Sequence, residues 1–430
     1  MIARALFALF ALLVALPARA QIVVTVPGAA DVPLAVPDAQ QPQGGVPGAG
    51  EFAETLRKDL AMSGYFQLIS PNAYLEQGKG VEPGSFGFDD WRILKTSVLV
   101  KTRLLPPAAC GGKVCADVYV YNVGSGDQVL ARRFRADNGQ ERHQAHAVAN
   151  AVLLAVTGRP GIFGSRLLAV GTASGNKEVY LLDLDGKGVA PVTANGSVNL
   201  SPTFSPDARK IAWTSYKKGQ PDLYVKDLAS GRVKLVSNRK GVNISPAYSP
   251  DGATLAMARN AASGDSDLFL IDAQTGADLQ RLTTGGGIDV SPNFSPDGKR
   301  IAFASERSGG SQIYVLELAT GQATRVSYEG GFNTDPVFSP DGSQIAFVGR
   351  VAGGFDIYVV GADGKGIQQI TSGAGDNEDP AWSPDGHYLV FSSTRTGRSE
   401  LWLSTADGRH QSRITQGGGW FQPMFAPGVR

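Results

Sequence analysis

Apolar residues in this chain come in short runs separated by turn residues, and beyond Gly161 the runs recur in register. Ile211–Trp213, Leu255–Met257, Ile301–Phe303, Ile345–Phe347 and Leu389–Phe391 occupy one position of a repeating unit. Leu223–Val225, Leu268–Leu270, Ile313–Val315, Ile357–Val359 and Leu401–Leu403 occupy the next. Runs this short, bounded by Gly, Pro, Asp and Ser, predict strands. The unit is marked by Pro-x-Phe/Tyr/Trp-Ser-Pro-Asp-Gly. Its first prolines, Pro202, Pro246, Pro292, Pro336, Pro380 and Pro423, are 44, 46, 44, 44 and 43 residues apart. A period in the low forties with several strands per unit predicts a β-propeller.

The strands of each unit are labelled A to D. Strand A holds the marker proline, which lacks an N–H and is tolerable only at an edge or a strand start. Leu167–Val170, Val179–Leu182 and Pro191–Thr193 supply strands B, C and D with no A before them. Gln422–Pro427 supplies an A with nothing after it. The last strand therefore completes the first blade, and the ring closes with six. The aspartates of the repeated turn (Asp207, Asp251, Asp297, Asp341, Asp385) recur blade after blade, which marks them as turn formers rather than acids or calcium ligands.

Upstream the periodicity changes. Phe52, Leu56 and Leu60 predict a helix over Glu51–Met62, stopped near Gly64. Strands are expected at Ser97–Leu105, Ala116–Val123 and Gln128–Phe134. A second helix is expected at Gln140–Thr157, with Ala145, Ala149, Val152 and Val156 on one face. This is a small α/β domain. His143 and His146 have a spacing that metals use, but no carboxylate or Cys in the sequence pattern completes a set. Before the domain, Arg4 precedes the apolar run Ala5–Leu16, and Ala18-Arg19-Ala20 follows Pro17. That is a signal peptide cut between Ala20 and Gln21, too short to span a bilayer. The expected division is 1–20 signal peptide, 21–50 exported tail and linker, 51–158 α/β domain and 159–430 propeller. Gln40–Gly50 reads as flexible. The strand-prone Ile22, Val23, Val24, Thr25 and Val26 read as a peptide epitope for strand addition.

Composition narrows the function. The 430 residues carry a formal charge of +1, so no bulk electrostatic case exists for nucleic acid or an anionic membrane. The 54 glycines and 25 prolines fit a turn-rich β fold. Cys110 and Cys115, in an exported chain, are expected to form a local disulfide. No Gly-x-Ser-x-Gly elbow, His-Glu-x-x-His or phosphate-cradling loop occurs, so neither an enzyme nor a cofactor is expected.

Positions that break the period are free for recognition. The loops from strand D to the next strand A open on one mouth of the ring. Arg239 and Lys240 lie in one loop, Glu329 and Asp335 in another, and Asp376, Glu378 and Asp379 in a third. Three residues before each marker proline stands a column of Asn199, Asn243, Asp289, Asn333, Asn377 and Trp420, in which Trp420 is the odd member and a candidate contact.

Ala53-Glu-Thr-Leu and Ser63-Gly-Tyr-Phe66 within Phe52–Ile69, Asp90-Trp91, and Thr157-Gly-Arg-Pro-Gly-Ile-Phe-Gly-Ser-Arg166 leading into the ring join the repeated turns as distinctive features. On these residues the chain resembles the TolB family from about residue 31 to its end. The resemblance implies a non-catalytic, monomeric periplasmic scaffold of the Tol–Pal system, without membrane insertion or nucleic-acid binding. It implies support of outer-membrane integrity and of constriction at division. Pal lipoprotein would bind the mouth, carried onto Asn243, Asp289, Glu329, Asn333, Asp335, Asp376, Asn377, Asp379 and Trp420. TolA would bind the tail, Ile22–Val26. Outer-membrane proteins and bacteriocins are further implied partners. The rival readings are a hydrolase-associated propeller and one that binds sugar or calcium.

Overall fold

The computed structural model describes residues 31–76, 80–260, 264–351, 354–373 and 375–428. The cleavage site Ala20–Gln21 and the epitope Ile22–Val26 lie outside them.

The α/β domain comprises β1 (Val32–Ala35), α1 (Ala49–Met62), β2 (Phe66–Leu68), α2 (Asp89–Ile93), β3 (Val98–Leu105), β4 (Val114–Asn122), β5 (Gln128–Ala136) and α3 (Glu141–Thr157). Its sheet has the order β2-β1-β3-β4-β5. β1 runs parallel to β2 and β3, and β3-β4-β5 is an antiparallel meander. Alternate residues of β3 and β4 (Val98, Val100, Leu104; Ala116, Val118, Val120) join the apolar faces of α1 and α3 in one core. Period 2 in the strands and period 3.6 in the helices thus bury one continuous layer. Cys110 and Cys115 are bonded, their Cα atoms 6.1 Å apart.

The tail-and-linker reading of 21–50 fails over its second half. Val32–Ala35 is an inner strand, with Leu34 wholly buried. Val36, Ala39 and Val46 are buried too, and the N–H and C=O of Gln40 pair with Thr102 and Leu104 of β3. Gln40–Gly50 is therefore packed onto the domain. Pro33 and Pro37 cut the apolar run short, which hid the strand from periodicity.

The remainder is six four-stranded antiparallel sheets. Blades 1 to 5 span 199–237, 243–281, 289–325, 333–369 and 377–413. Blade 6 is composite: its A is Trp420–Phe425, and its B, C and D are Arg166–Gly171, Glu178–Asp183 and Ala190–Pro191. The A-to-B turns behave as the repeat implies. In blade 2, the Ser249 hydroxyl donates to Asp251 at 2.6 Å, and Asp251 accepts the Ala253 N–H. The turn glycine has positive φ, +72° at Gly342, where a Cβ would come within 3.3 Å of Pro296 in the preceding blade.

The α/β domain sits on the face of these turns, against blades 5 and 6. The Tyr388 hydroxyl donates to the Ser63 carbonyl at 3.0 Å, and Arg159 lies 3.2 Å from the ring of His387, which is thus not simply solvated. Between domain and blade 6 is a buried charge cluster. Arg142 reaches Asp183 at 2.6 Å and Asp185 at 2.9 Å. His146 Nδ1 lies 2.6 Å from Asp59, and its Nε2 lies 3.6 Å from Asp185. His143 is exposed and meets His146 edge-on at 6.2 Å, but among the described residues no metal-holding group of three forms there; His146 serves the joint. Among the described residues no helix is long and apolar enough to cross a membrane.

Candidate binding face at the propeller mouth

With the turn face partly covered, the opposite face carries the D-to-A loops and stays open. Its column residues hold those loops in place. Asn243 is buried; its side-chain N–H₂ donates to the Arg239 carbonyl at 2.7 Å, and its oxygen accepts from Ser237. Asn333 donates to the Glu329 carbonyl at 2.8 Å, and Asn377 to the Gly375 carbonyl at 3.1 Å. Asp289 is buried and ion-paired to Arg307 at 2.9 Å. Each of these asparagines ties the loop that leads into its own strand, satisfying backbone groups that would otherwise be orphaned, whereas Asp289 holds the turn after strand B.

These positions correct the sequence-based assignment. Asn243, Asp289, Asn333 and Asn377 are committed to the fold and not offered to a partner. Trp420 is likewise no surface anchor. It is 8% exposed, meets Tyr180 edge-on at 5.6 Å and accepts the Ser399 hydroxyl on its carbonyl. It breaks the column because the closing blade uses an aromatic where four of the others use an amide and one, Asp289, a carboxylate.

Asp335 and Asp379 lie further inside, on the channel wall. The residue before each marker proline (Ser201, Ser245, Ser291, Asp335, Asp379, Gln422) has φ between +48° and +56°. Every strand A is bulged there. Non-glycine residues in this region cost of order 1–3 kcal/mol each unless the surroundings compensate. Bonds around the ring do so: Ser291 to Asp335 at 2.7 Å, Gln422 N–H to Asp379 at 3.0 Å, Ser201 N–H to the Gln422 side chain at 2.8 Å. Burial pushes the carboxyls of Asp335 and Glu378 up, and that of Asp379 up to about 7, with Asp335 beside it adding to the shift. Among the described residues no three His, Cys, Asp or Glu side chains gather closely enough to hold a metal ion.

A pH test follows. Below about 7 the folded chain keeps the Asp379 proton, whereas the unfolded chain releases it near the ordinary aspartate value of 3.8. Stability therefore falls as pH rises between these values. Asp379→Asn removes that slope, so its melting temperature should gain on wild type more at alkaline than at mildly acidic pH. An equal difference at both ends would place the raised carboxyl elsewhere.

What faces solvent at the mouth is different. Glu329 is exposed and Asp376 half-buried, flanking one side; Arg239 and Lys240 are exposed on the other. Between them lie Ile288 and Phe332, 42% and 39% exposed, with Tyr328, 66% exposed, beside Glu329; Val198, 39% exposed, stands one loop beyond the basic flank. Phe332 is held edge-on against Phe355 at 6.2 Å. The signal was in the sequence: the residue four before each marker proline reads Val198, Val242, Ile288, Phe332, then Asp376 and Gly419. Apolar residues clustered at loop tips, in an otherwise polar rim, form the kind of patch that marks an interaction surface.

A family model described as the TolB beta propeller domain matches residues 154–337 and 330–428, and one described as the TolB amino-terminal domain matches 20–129. The Tol-Pal system protein TolB of Geobacter sulfurreducens is 38% identical over 163 residues, 38% of this chain and 37% of that protein. That of Anaeromyxobacter sp. is 34% identical over 174 residues, 40% and 39% of the two chains. The alignments thus span well under half the length of these relatives. The crystal structure of TolB from Acinetobacter baumannii superposes with a TM-score of 0.80 at 25% identity, covering 92% of this chain and 96% of that one.

Proposed function

The chain belongs to the TolB family, and from that premise we propose that it acts as a non-catalytic periplasmic scaffold of the Tol–Pal system. Its mouth binds Pal, its mature N-terminal tail binds TolA, and together these support outer-membrane integrity and constriction at division. The observation that supports this reading best is the set of exposed apolar residues Ile288, Tyr328 and Phe332 between a basic and an acidic flank, on the face that the α/β domain leaves open. A protein partner fits it better than a small ligand: the patch is broad, the rim charges steer encounter, and the apolar tips supply the desolvated centre.

The contact set is accordingly redrawn. Ile288, Tyr328 and Phe332 carry the affinity, with Glu329, Asp376 and Lys240 at the rim. Phe332→Ala should weaken Pal binding by about 2 kcal/mol, roughly thirtyfold, by calorimetry, with the melting temperature unchanged. Asp251→Lys, on the turn face, should leave the affinity alone. The reverse pattern would assign Pal to the other face. In the same assay, removing Gln21–Ala30 should weaken TolA and spare Pal; Asp31 onward is left in place because Val32 begins a core strand.

A further inference from the structure

The α/β domain, on the face away from the mouth, holds a cavity of about 320 Å³. Pro37, Ala39, Tyr74 and Val81 give it apolar walls, and Glu76 and Lys101 line it as well. The Glu76 side chain is wholly buried. Its Oε2 accepts the indole N–H of Trp91 at 2.9 Å and lies 3.9 Å from the Lys101 ammonium. Lys101 also donates to the Gly80 carbonyl at 2.9 Å and stands over the Phe86 ring at 4.1 Å. The other oxygen, Oε1, has no hydrogen-bond partner among the described residues.

A buried carboxylate oxygen left without a donor is costly, and few native groups are left so. Here the unmet acceptor belongs to a residue that lines a cavity. The pair's charges cancel, and Asp38, which also lines the cavity, is met by Arg57 at 2.6 Å. The site therefore calls for neither a cation nor an anion; it calls for a donor.

We propose that this cavity binds a neutral molecule of roughly a dozen heavy atoms, with an apolar body and an N–H or O–H donor directed at Glu76 Oε1. The volume is at the lower end for ligand pockets, which sets the size. The apolar walls receive the body, and Trp91, fully buried and edge-on to Tyr74 at 5.1 Å, reports on occupancy through its indole N–H.

Three probes share one ring and differ in charge: indole-3-acetamide, tryptamine and indole-3-acetate. Each is titrated into the full mature chain while the Trp91 indole resonance, assigned with Trp91→Phe, is followed by NMR. The amide should bind with a dissociation constant of about a millimolar, the scale open to a ligand of this size. The charged probes should bind at least about tenfold more weakly, since each would bury an uncompensated charge. Glu76→Gln should weaken the amide about fivefold or more while the spectrum stays dispersed. Gln40→Trp, at a position that also lines the cavity, should block the site while its backbone keeps its pairing to β3. No shift with the amide, equal affinity for all three probes, unchanged affinity in both variants, or a soaked crystal showing only water in the cavity would each overturn the proposal.

Discussion

Deleting Trp420–Arg430 should lower the melting temperature by about 10 °C or more, or abolish the cooperative transition. The deleted segment is strand A of blade 6, pairing Trp420 with Gly171, Phe421 with Val170, Met424 with Leu168 and Phe425 with Leu167. Trp420 and Phe425 are buried, and Met424 packs against the cluster of Leu168, Val179 and Phe204. Large apolar side chains contribute about 1.5–3 kcal/mol each on burial. Set against a net stability of about 5–15 kcal/mol, three of them decide whether the ring folds. The cut would also bare the edge of Arg166–Gly171, inviting association. Melting followed by circular dichroism, with size-exclusion chromatography, tests both effects. An unchanged melting temperature would refute closure by the last strand. Trp420→Ala alone should cost about 3–5 kcal/mol of stability, the ordinary penalty for emptying an aromatic site.

Arg142→Ala should release the α/β domain from blade 6. The guanidinium bridges Asp183 and Asp185, whose side chains are 14% and 2% exposed. Removing one partner of a buried pair leaves uncompensated charge and costs about 3–5 kcal/mol. The variant should show two separated calorimetric transitions and faster proteolysis between domain and ring. Partner affinity at the mouth should hold, because the joint lies on the opposite face. Acid should act in the same direction. Burial pushes the Asp185 carboxyl up, but the Lys187 N–H and Arg142 outweigh it and hold it below the ordinary carboxylate range. Its stabilisation is present above the unfolded value and is lost as pH falls through the lowered one. A single unshifted transition in Arg142→Ala would mean that the cluster does not hold the domains together.

The ring was legible because its unit repeats. Six marker prolines, their turns and the split blade needed only local periodicity and counting. β1 was not legible: four residues interrupted by Pro33 carry no period, and only pairing with β2 and β3 makes them a strand. The mouth was half legible. Position relative to the proline located the loops, yet a polar residue at a loop's end can point outward or tie down backbone. Asn243 and Asn377 do the second, a choice made by neighbouring carbonyls that sequence spacing does not reveal. Trp420 misled for the opposite reason: an exception to a column read as recognition when it was packing.

The split blade also fixes when this ring is able to form. Its B strand is made near residue 166 and its A strand ends at residue 425, so the pairing of Leu167 with Phe425 joins nearly the full length of the ring's sequence. A chain emerging N-terminus first pairs this B strand with its C strand at once but carries its other edge open through the synthesis of five complete blades. The last registration is a contact of very high sequence separation, which places it among the slow steps of folding. Until it occurs the array is an open fan with two free edges, vulnerable to association. The topology thus keeps the ring from closing before nearly all of the chain has emerged.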